Sequence, residues 1–163
     1  SCDFRVSPPE ARLARWPERI HASAIAAGGR AAIIRGASGA GKSDLALRCL
    51  AQAPSLLLPH PVMLVGDDQI MLERRRDALF AAPAPALAGK LEVRGIGIVA
   101  VSKVIGEAEV RLVVDLVPAK EVERMPDPWP ATALIGKDLP LLRLFAFENS
   151  APLKLLMALQ CNG

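Results

Sequence analysis

The fold of this 163-residue chain is decided by one stretch, Gly36-Ala37-Ser38-Gly39-Ala40-Gly41-Lys42-Ser43. Its spacing, Gly-x-x-x-x-Gly-Lys-Ser, is typical of a loop that binds nucleotide phosphates. The glycines let the backbone turn tightly, so that successive N–H groups face phosphate oxygens. Lys42 would bridge the β- and γ-phosphates, and the Ser43 hydroxyl would bind Mg²⁺. A simple Gly-rich turn before a helix is the alternative, but the flanking pattern favours nucleotide binding.

The residues on both sides of this loop have the pattern of a strand before it and a helix after it. Residues 44–51 carry apolar side chains at helical spacing, with no Gly or Pro before Pro54. Residues 20–27 predict a strand, Gly28-Gly29 is a hairpin signal, and residues 30–35 form the returning strand that leads into the loop. The first strands are therefore expected to be antiparallel neighbours, unlike those of a purely parallel nucleotide-binding sheet.

Two adjacent carboxylates follow the next apolar run. Residues 62–66 predict a buried strand, and Asp67 and Asp68 come directly after it. After a phosphate loop, one such carboxylate can hold Mg²⁺ and the other can accept a proton from an attacking hydroxyl. A solvated pair at the turn after a strand is the alternative, but strand-end acids accompany this kind of loop in nucleotide enzymes, which favours the functional interpretation.

The remaining pattern predicts an α/β domain with a mixed central sheet and flanking helices, a P-loop kinase-like architecture. One domain is expected over residues 1–163, with residues 1–17 as an N-terminal extension and a helix near residues 10–14. The other predicted elements are strands at 69–74, 109–117 and 139–147, a helix at 152–159, and loops at 80–89 and 119–130.

Composition excludes several classes of function. Hydrophobic residues make up 52% of the chain, which is too many for a disordered protein. The net charge is only +3, the basic residues are scattered, and aromatics are 4% with no Tyr, so a nucleic-acid partner is not supported. The three cysteines have no metal-ligand spacing, and no apolar run is long enough to span a membrane. A cytoplasmic protein without nucleic-acid or membrane partners is expected.

Three further features of the sequence are candidates for the functional site. His21 lies on the strand before the loop strand, although a lone His is more often structural. Residues 91–98 combine Glu92 and Arg94 with two following glycines, which indicates either close approach to a ligand or a short edge strand. Arg124, in the charged loop, is either a solvated side chain or a phosphate clamp.

Taken in order, these features resemble the C-terminal catalytic domain of HPr kinase/phosphorylase. The features are His21, the phosphate loop, Asp67-Asp68, and the segment Leu91-Glu92-Val93-Arg94-Gly95-Ile96-Gly97, which is the most specific of them. The resemblance covers about residues 20–159. It implies a kinase that uses ATP and Mg²⁺ to phosphorylate a serine of the phosphocarrier protein HPr, often with the reverse activity, and a homo-oligomer that is a hexamer in the family.

The resemblance also implies roles for individual residues. Asp67 would be the proton acceptor and Lys42 would hold phosphate, while Ser43 and Glu92 would bind Mg²⁺ together with the second carboxylate, Asp68. His21 matches an active-site histidine of the family. The run Val122-Glu123-Arg124-Met125 is similar to a family loop with an essential arginine, so that Arg124 is the clamp candidate, although the loop is shorter and differently spaced here.

Two departures from the family pattern shape the prediction. The usual N-terminal domain is absent from this sequence, so it resembles a short form made of the kinase domain alone. Residues 144–150 stand where the family has an arginine-rich segment linked to dephosphorylation, and they carry Glu148 instead. Kinase activity with weak or no phosphorylase activity is therefore predicted. A small-metabolite kinase and a non-catalytic nucleotide-sensing module stay open as alternatives.

Overall fold

A mixed β-sheet flanked by two helices forms the domain in the computed structural model, which describes residues 18–162. The predicted helix at residues 10–14 and the extension at 1–17 lie outside the described residues. The strands are β1 (Glu18–His21), β2 (Ser23–Ala27), β3 (Arg30–Arg35), β4 (Val62–Gly66), β5 (Gln69–Arg75), β6 (Ala78–Pro83), β7 (Lys90–Val93), β8 (Gly97–Ala100), β9 (Ala108–Leu116), β10 (Ala131–Leu134) and β11 (Lys137–Leu144). The helices are α1 (Lys42–Leu50) and α2 (Ala151–Cys161), with short 3-10 turns at Pro85–Leu87 and Ala119–Glu121.

The main sheet has the order β1-β5-β6-β9-β3-β2-β4, with β11 also beside β9 and β10 beside β11. The predicted hairpin is confirmed: β2 and β3 pair antiparallel through Gly28 and Gly29, whose φ values of 60° and 77° suit a two-residue hairpin turn. The strands β7 and β8 form a separate antiparallel hairpin. The α/β class with a mixed sheet and antiparallel strands before the phosphate loop is confirmed.

Four strand ends meet at one edge of the sheet. The strands β3 and β11 both run parallel to β9. Strand β4 runs in the same direction as β3, because each is antiparallel to β2. The segments that follow β3, β4, β9 and β11 therefore emerge at a common edge, which is where α/β proteins bind their ligands.

Alternation along β3 explains the two halves of the core. Ala32 and Ile34 face α1 and α2, whereas Ala31 and Ile33 pack on the opposite side with residues of β5 and β6. Because both faces of the central strands are covered, their sequences are nearly continuous apolar runs. The phosphate-loop strand is thus fixed from both sides.

The structure corrects the first predicted strand. Residues 20–27 are divided at Ala22 into β1, which pairs with β5, and β2, which pairs with β3 and β4. A mainly apolar stretch with no Gly or Pro does not reveal that the chain changes partners within it. The break places His21 and Ser23 on different strands, next to the end of β4.

Two other predictions also change. The composition of residues 80–89 predicts a loop, but β6 occupies Ala78–Pro83 and pairs with β5 along its length. The last strand begins at Lys137 with the hairpin partner β10, and it ends at Leu144 rather than at residue 147. Among the helices of residues 18–162, none has the length and apolar character needed to cross a membrane.

Candidate functional site

The phosphate loop connects β3 to α1 and forms one wall of a cleft with a volume of about 310 Å³. Within the loop, Ala40 N donates to Ala37 O at 3.0 Å, and Gly39 and Gly41 have φ values of 80° and 99°. Left-handed residues within a tight turn create concave backbone surfaces that bind anions. The N-terminus of α1 follows directly, so its dipole adds positive potential at the same place.

Lys42 is held close to the loop. Its side chain is only 8% exposed, and its Nζ donates to the carbonyl oxygens of Gly36 at 2.7 Å and Ala37 at 3.1 Å. These two bonds keep the ammonium group at the concave side of the loop. A phosphate bound there would lie beside a fixed positive charge.

Asp67 is a buried carboxylate with three hydrogen-bond donors. It is 3% exposed, and its oxygens accept bonds from Ser23 Oγ at 2.6 Å, from Ser43 Oγ at 2.8 and 3.0 Å, and from the backbone N–H of Glu92 at 3.0 Å. A buried carboxylate is stable only when it is satisfied in this way. Asp67 therefore ties the phosphate loop to β2 and to the β7–β8 hairpin.

Asp68 points in a different direction from its neighbour. Its side chain is 49% exposed, it lines the cleft, and its Oδ1 lies 3.3 Å from Nδ1 of His21. Its φ of 66° lies in the left-handed region, which Asp tolerates better than most residues. Asp67 is thus the carboxylate beside Ser43, whereas Asp68 is the one that lines the cleft, and the predicted roles of the two stay predictions.

The β7–β8 hairpin supplies another part of the wall of the cleft. Glu92, Val93 and Arg94 line it, and the carboxylate of Glu92 and the guanidinium of Arg94 are solvent-exposed. Among residues 18–162, no group of three or more His, Cys, Asp or Glu side chains is arranged to hold a metal by itself. The oxygens of Ser43, Asp67 and Glu92 nevertheless fit Mg²⁺, which is usually held by one or two carboxylates together with substrate phosphates.

The segment after β11 closes a further side of the cleft. Phe147 lines it, and a Cβ built on Gly41 would lie 3.1 Å from Phe147 Cζ, so the ring rests directly against the loop. Arg48 of α1 donates to the carbonyl oxygens of Ala146 and Glu148, the residues before and after Phe147 in the sequence. Helix α1 thus carries the phosphate loop at its start and holds this segment near its end.

The structure does not bring Arg124 to this cleft. Its side chain lines a second cleft, with a volume of about 390 Å³, that it shares with Trp129, with residues of β11 and with Met157 of α2. His21, Lys42, Ser43, Asp67, Asp68 and Glu92 do come together at the phosphate loop. The predicted clamp role of Arg124 stays a prediction, and Arg94 is the arginine that lines the phosphate cleft.

Sequence reasoning missed two residues that hold the site together. Ser23 is fully buried in a strand of alanine and isoleucine, and this isolated hydroxyl was a usable signal because buried polar groups need a partner. Arg48 had no comparable signal, since its spacing to Asp44 suggests only an ordinary helical ion pair.

Comparison with known proteins identifies relatives of this chain. A family model described as the HPr serine kinase C-terminal domain matches residues 12–144. The HPr kinase/phosphorylase of Mycoplasma mycoides subsp. mycoides is 31% identical over 130 residues, which cover 73% of this chain and 39% of the relative. The enzyme of the same name from Chlorobaculum tepidum is 30% identical over 143 residues, covering 81% and 40%.

A solved structure agrees with the observed fold. The Hpr(Ser) kinase/phosphatase from Coxiella burnetii matches with a TM-score of 0.73 at 22% sequence identity, covering 88% of this chain and 95% of that chain. At this identity the match shows the fold. The chain spans about 39–40% of the length of the two curated relatives described above.

Proposed function

The chain belongs to the family of HPr serine kinase C-terminal domains, and we propose that it transfers the γ-phosphoryl group of ATP to a serine of the phosphocarrier protein HPr. The observation that carries this proposal is the arrangement around Ser43. Its hydroxyl is bonded to a buried carboxylate beneath the phosphate loop, while a second carboxylate faces the cleft. These are the features that phosphoryl transfer requires: a loop that binds phosphate, ligands for Mg²⁺ and a proton acceptor.

The phosphate side of the cleft would bind the donor. Ser43, Asp67 and Glu92 are the proposed ligands of Mg²⁺, which when bound supplies positive charge that offsets the charge of the transferred group. Lys42 would exchange its bonds to the carbonyls of Gly36 and Ala37 for bonds to phosphate oxygens. Burial of Asp67 keeps its carboxylate in one orientation, so Ser43 is held in place before the substrate arrives.

The residues that face the incoming HPr would activate its serine. The carboxylate of Asp68 takes the proton of the serine hydroxyl, the serine oxygen bonds to the γ-phosphorus, and the bond from that phosphorus to the bridging oxygen breaks to release ADP. His21, 3.3 Å from Asp68, would orient that carboxylate. Arg94 on the hairpin is positioned to balance charge on the moving phosphoryl group.

Separate substitutions of the two carboxylates test the roles assigned to them. With labelled ATP, Mg²⁺ and HPr, we expect Asp68→Asn to lower the transfer rate at least about 100-fold while nucleotide affinity stays near that of the parent protein. Asp67→Asn should instead weaken Mg²⁺-dependent nucleotide binding. If Asp68→Asn transfers phosphate at a near-normal rate, Asp68 is not the proton acceptor.

The same assay separates the alternative functions. Label that appears on a small metabolite but not on HPr would favour a metabolite kinase. Nucleotide binding without transfer to any acceptor would favour a sensing module. A cytoplasmic location and assembly into a homo-oligomer stay predictions that accompany the proposed function.

A further inference from the structure

An aromatic side chain stands exposed at the wall of the phosphate cleft. Phe147 is 60% exposed, although its ring touches the phosphate loop at Gly41. A ring in the wall of a binding cleft offers an apolar surface to a bound ligand, because such clefts are lined mainly by apolar and aromatic side chains. The proposed mechanism gives this ring no role, because it has no group that binds phosphate or moves a proton.

The position of this ring is fixed by its neighbours. Arg48 donates to the carbonyl oxygens of the residues before and after it, Ala146 and Glu148. Phe145 packs against it edge to face, with ring centroids 5.9 Å apart and an interplanar angle of 76°. Contacts of this kind hold an exposed ring in a defined orientation before any ligand binds, which lowers the entropic cost of binding.

A second exposed apolar side chain lines the same cleft. Leu47 is 37% exposed and lines the same cleft, one helical turn beyond Ser43 on α1. The segment that carries Phe147 follows β11, which is parallel to β9 as β3 is, so it lies at the edge where the phosphate loop begins. A ligand that places phosphates on the loop would thus find two exposed apolar side chains in the same cleft, one of them with a flat aromatic face.

We propose that Phe147, supported by Leu47, is a stacking platform for the base of the nucleoside triphosphate donor. The inference rests on the proposed function, since it assumes that the loop holds the phosphates of that donor. Stacking uses the flat face of the base, which all bases have, and alanine substitution of such platforms lowers affinity measurably. The low aromatic content of the chain is no obstacle, because one base needs one ring.

The experiment compares a ligand that has a base with one that lacks it. Isothermal titration in the presence of Mg²⁺ would measure binding of ATP, GTP and inorganic tripolyphosphate to the whole chain and to Phe147→Ala, Phe147→Tyr and Trp129→Ala. We expect Phe147→Ala to raise the Kd of ATP and of GTP about 10-fold and to leave the Kd of tripolyphosphate within about twofold. Phe147→Tyr keeps the ring and should bind ATP like the parent protein. Trp129→Ala, an exposed ring in the other cleft, should change none of the three.

Each of the other outcomes would contradict either the stacking role of Phe147 or the proposed function. An equal loss of ATP and tripolyphosphate affinity in Phe147→Ala would mean that the ring supports the loop and not the base. No loss for any ligand, or equal affinity of the parent protein for ATP and tripolyphosphate, would also overturn the platform while leaving the kinase intact. Failure of the parent protein to bind any of the three would overturn the proposed function and the platform with it.

Discussion

Ser23 donates a 2.6 Å hydrogen bond to Asp67 from a strand otherwise built of alanine and isoleucine. We expect Ser23→Ala to lower the free energy of unfolding by about 1–2 kcal/mol, because a buried carboxylate loses one of its donors. Mg²⁺-dependent nucleotide affinity should fall as well, since Asp67 also holds Ser43. Urea unfolding and nucleotide titration would measure the two effects.

The control for this change is Ser102→Ala, because Ser102 is exposed and lies outside the phosphate cleft. It should match the parent protein in both measurements. A Ser23→Ala protein that is as stable as the parent and binds nucleotide equally well would contradict the view that Ser23 supports the site.

At the residue scale, the sequence predicts those features of the site that lie within one short segment of the chain. The phosphate loop was predictable because its spacing is a local pattern. The different contacts of Asp67 and Asp68 were not predictable, because Asp67 meets Ser43 and Asp68 meets His21, and both partners are distant in sequence. For the same reason, the sequence does not indicate that Arg124 lines a different cleft.

At the element scale, helix α1 buries a thiol whose ionisation opposes folding. Cys49 is fully buried, and burial raises the pKa of its thiol from 9.0 to about 12. Below pH 9 the thiol is neutral in both the folded and unfolded states, so its contribution is complete. As pH rises from 9 towards 12, only the unfolded chain readily loses this proton, and the folded state is progressively disfavoured.

Two measurements check this prediction. The decline in unfolding free energy from about pH 8 to about pH 10 should be smaller in Cys49→Ala than in the parent protein, although other groups also titrate there. In a Cys2→Ser background, iodoacetamide should modify the exposed Cys161 well before Cys49. Equal alkylation rates for the two thiols, or identical pH profiles for the two proteins, would show that Cys49 is not protected by burial.

Elements were predictable where their pattern was self-contained. The hairpin β2–β3 carries a Gly-Gly turn between two apolar runs, and β4 is a short apolar run that ends in acids. Strand β6 was missed because alanine and proline are poor strand formers, and the segment becomes a strand only through pairing with β5. Pro83 ends that pairing, opposite Ile70.

At the scale of the whole molecule, one helix connects both ends of the proposed reaction site. Helix α1 begins at the phosphate loop, and through Arg48 it holds the segment at residues 146–148. Sheet direction brings that segment and Asp68 to the same edge. The site is therefore a property of the assembled sheet, although each of its parts is short and local.

The segment at residues 144–150 also affects the expected balance between phosphorylation of HPr and release of its phosphate. Residues 144–150 contain no arginine, and Glu148 is paired with Lys154 at 2.5 Å. The pairing reduces the repulsion that Glu148 would exert on a phosphorylated protein, so the prediction now depends mainly on the missing guanidinium groups. Without them, a phosphoserine has fewer charge-assisted contacts in this part of the cleft.

We therefore expect the chain to release phosphate from serine-phosphorylated HPr at least about 10-fold more slowly than it phosphorylates HPr, because a lost charge-assisted contact costs about that factor in rate. Parallel assays with labelled HPr would measure the two rates on one preparation. Asn149→Arg, an exposed position in the segment, should raise the release rate relative to the matched control Asn149→Gln. Release as fast as transfer in the parent protein would contradict the prediction, because a missing cation cannot then limit the release of phosphate.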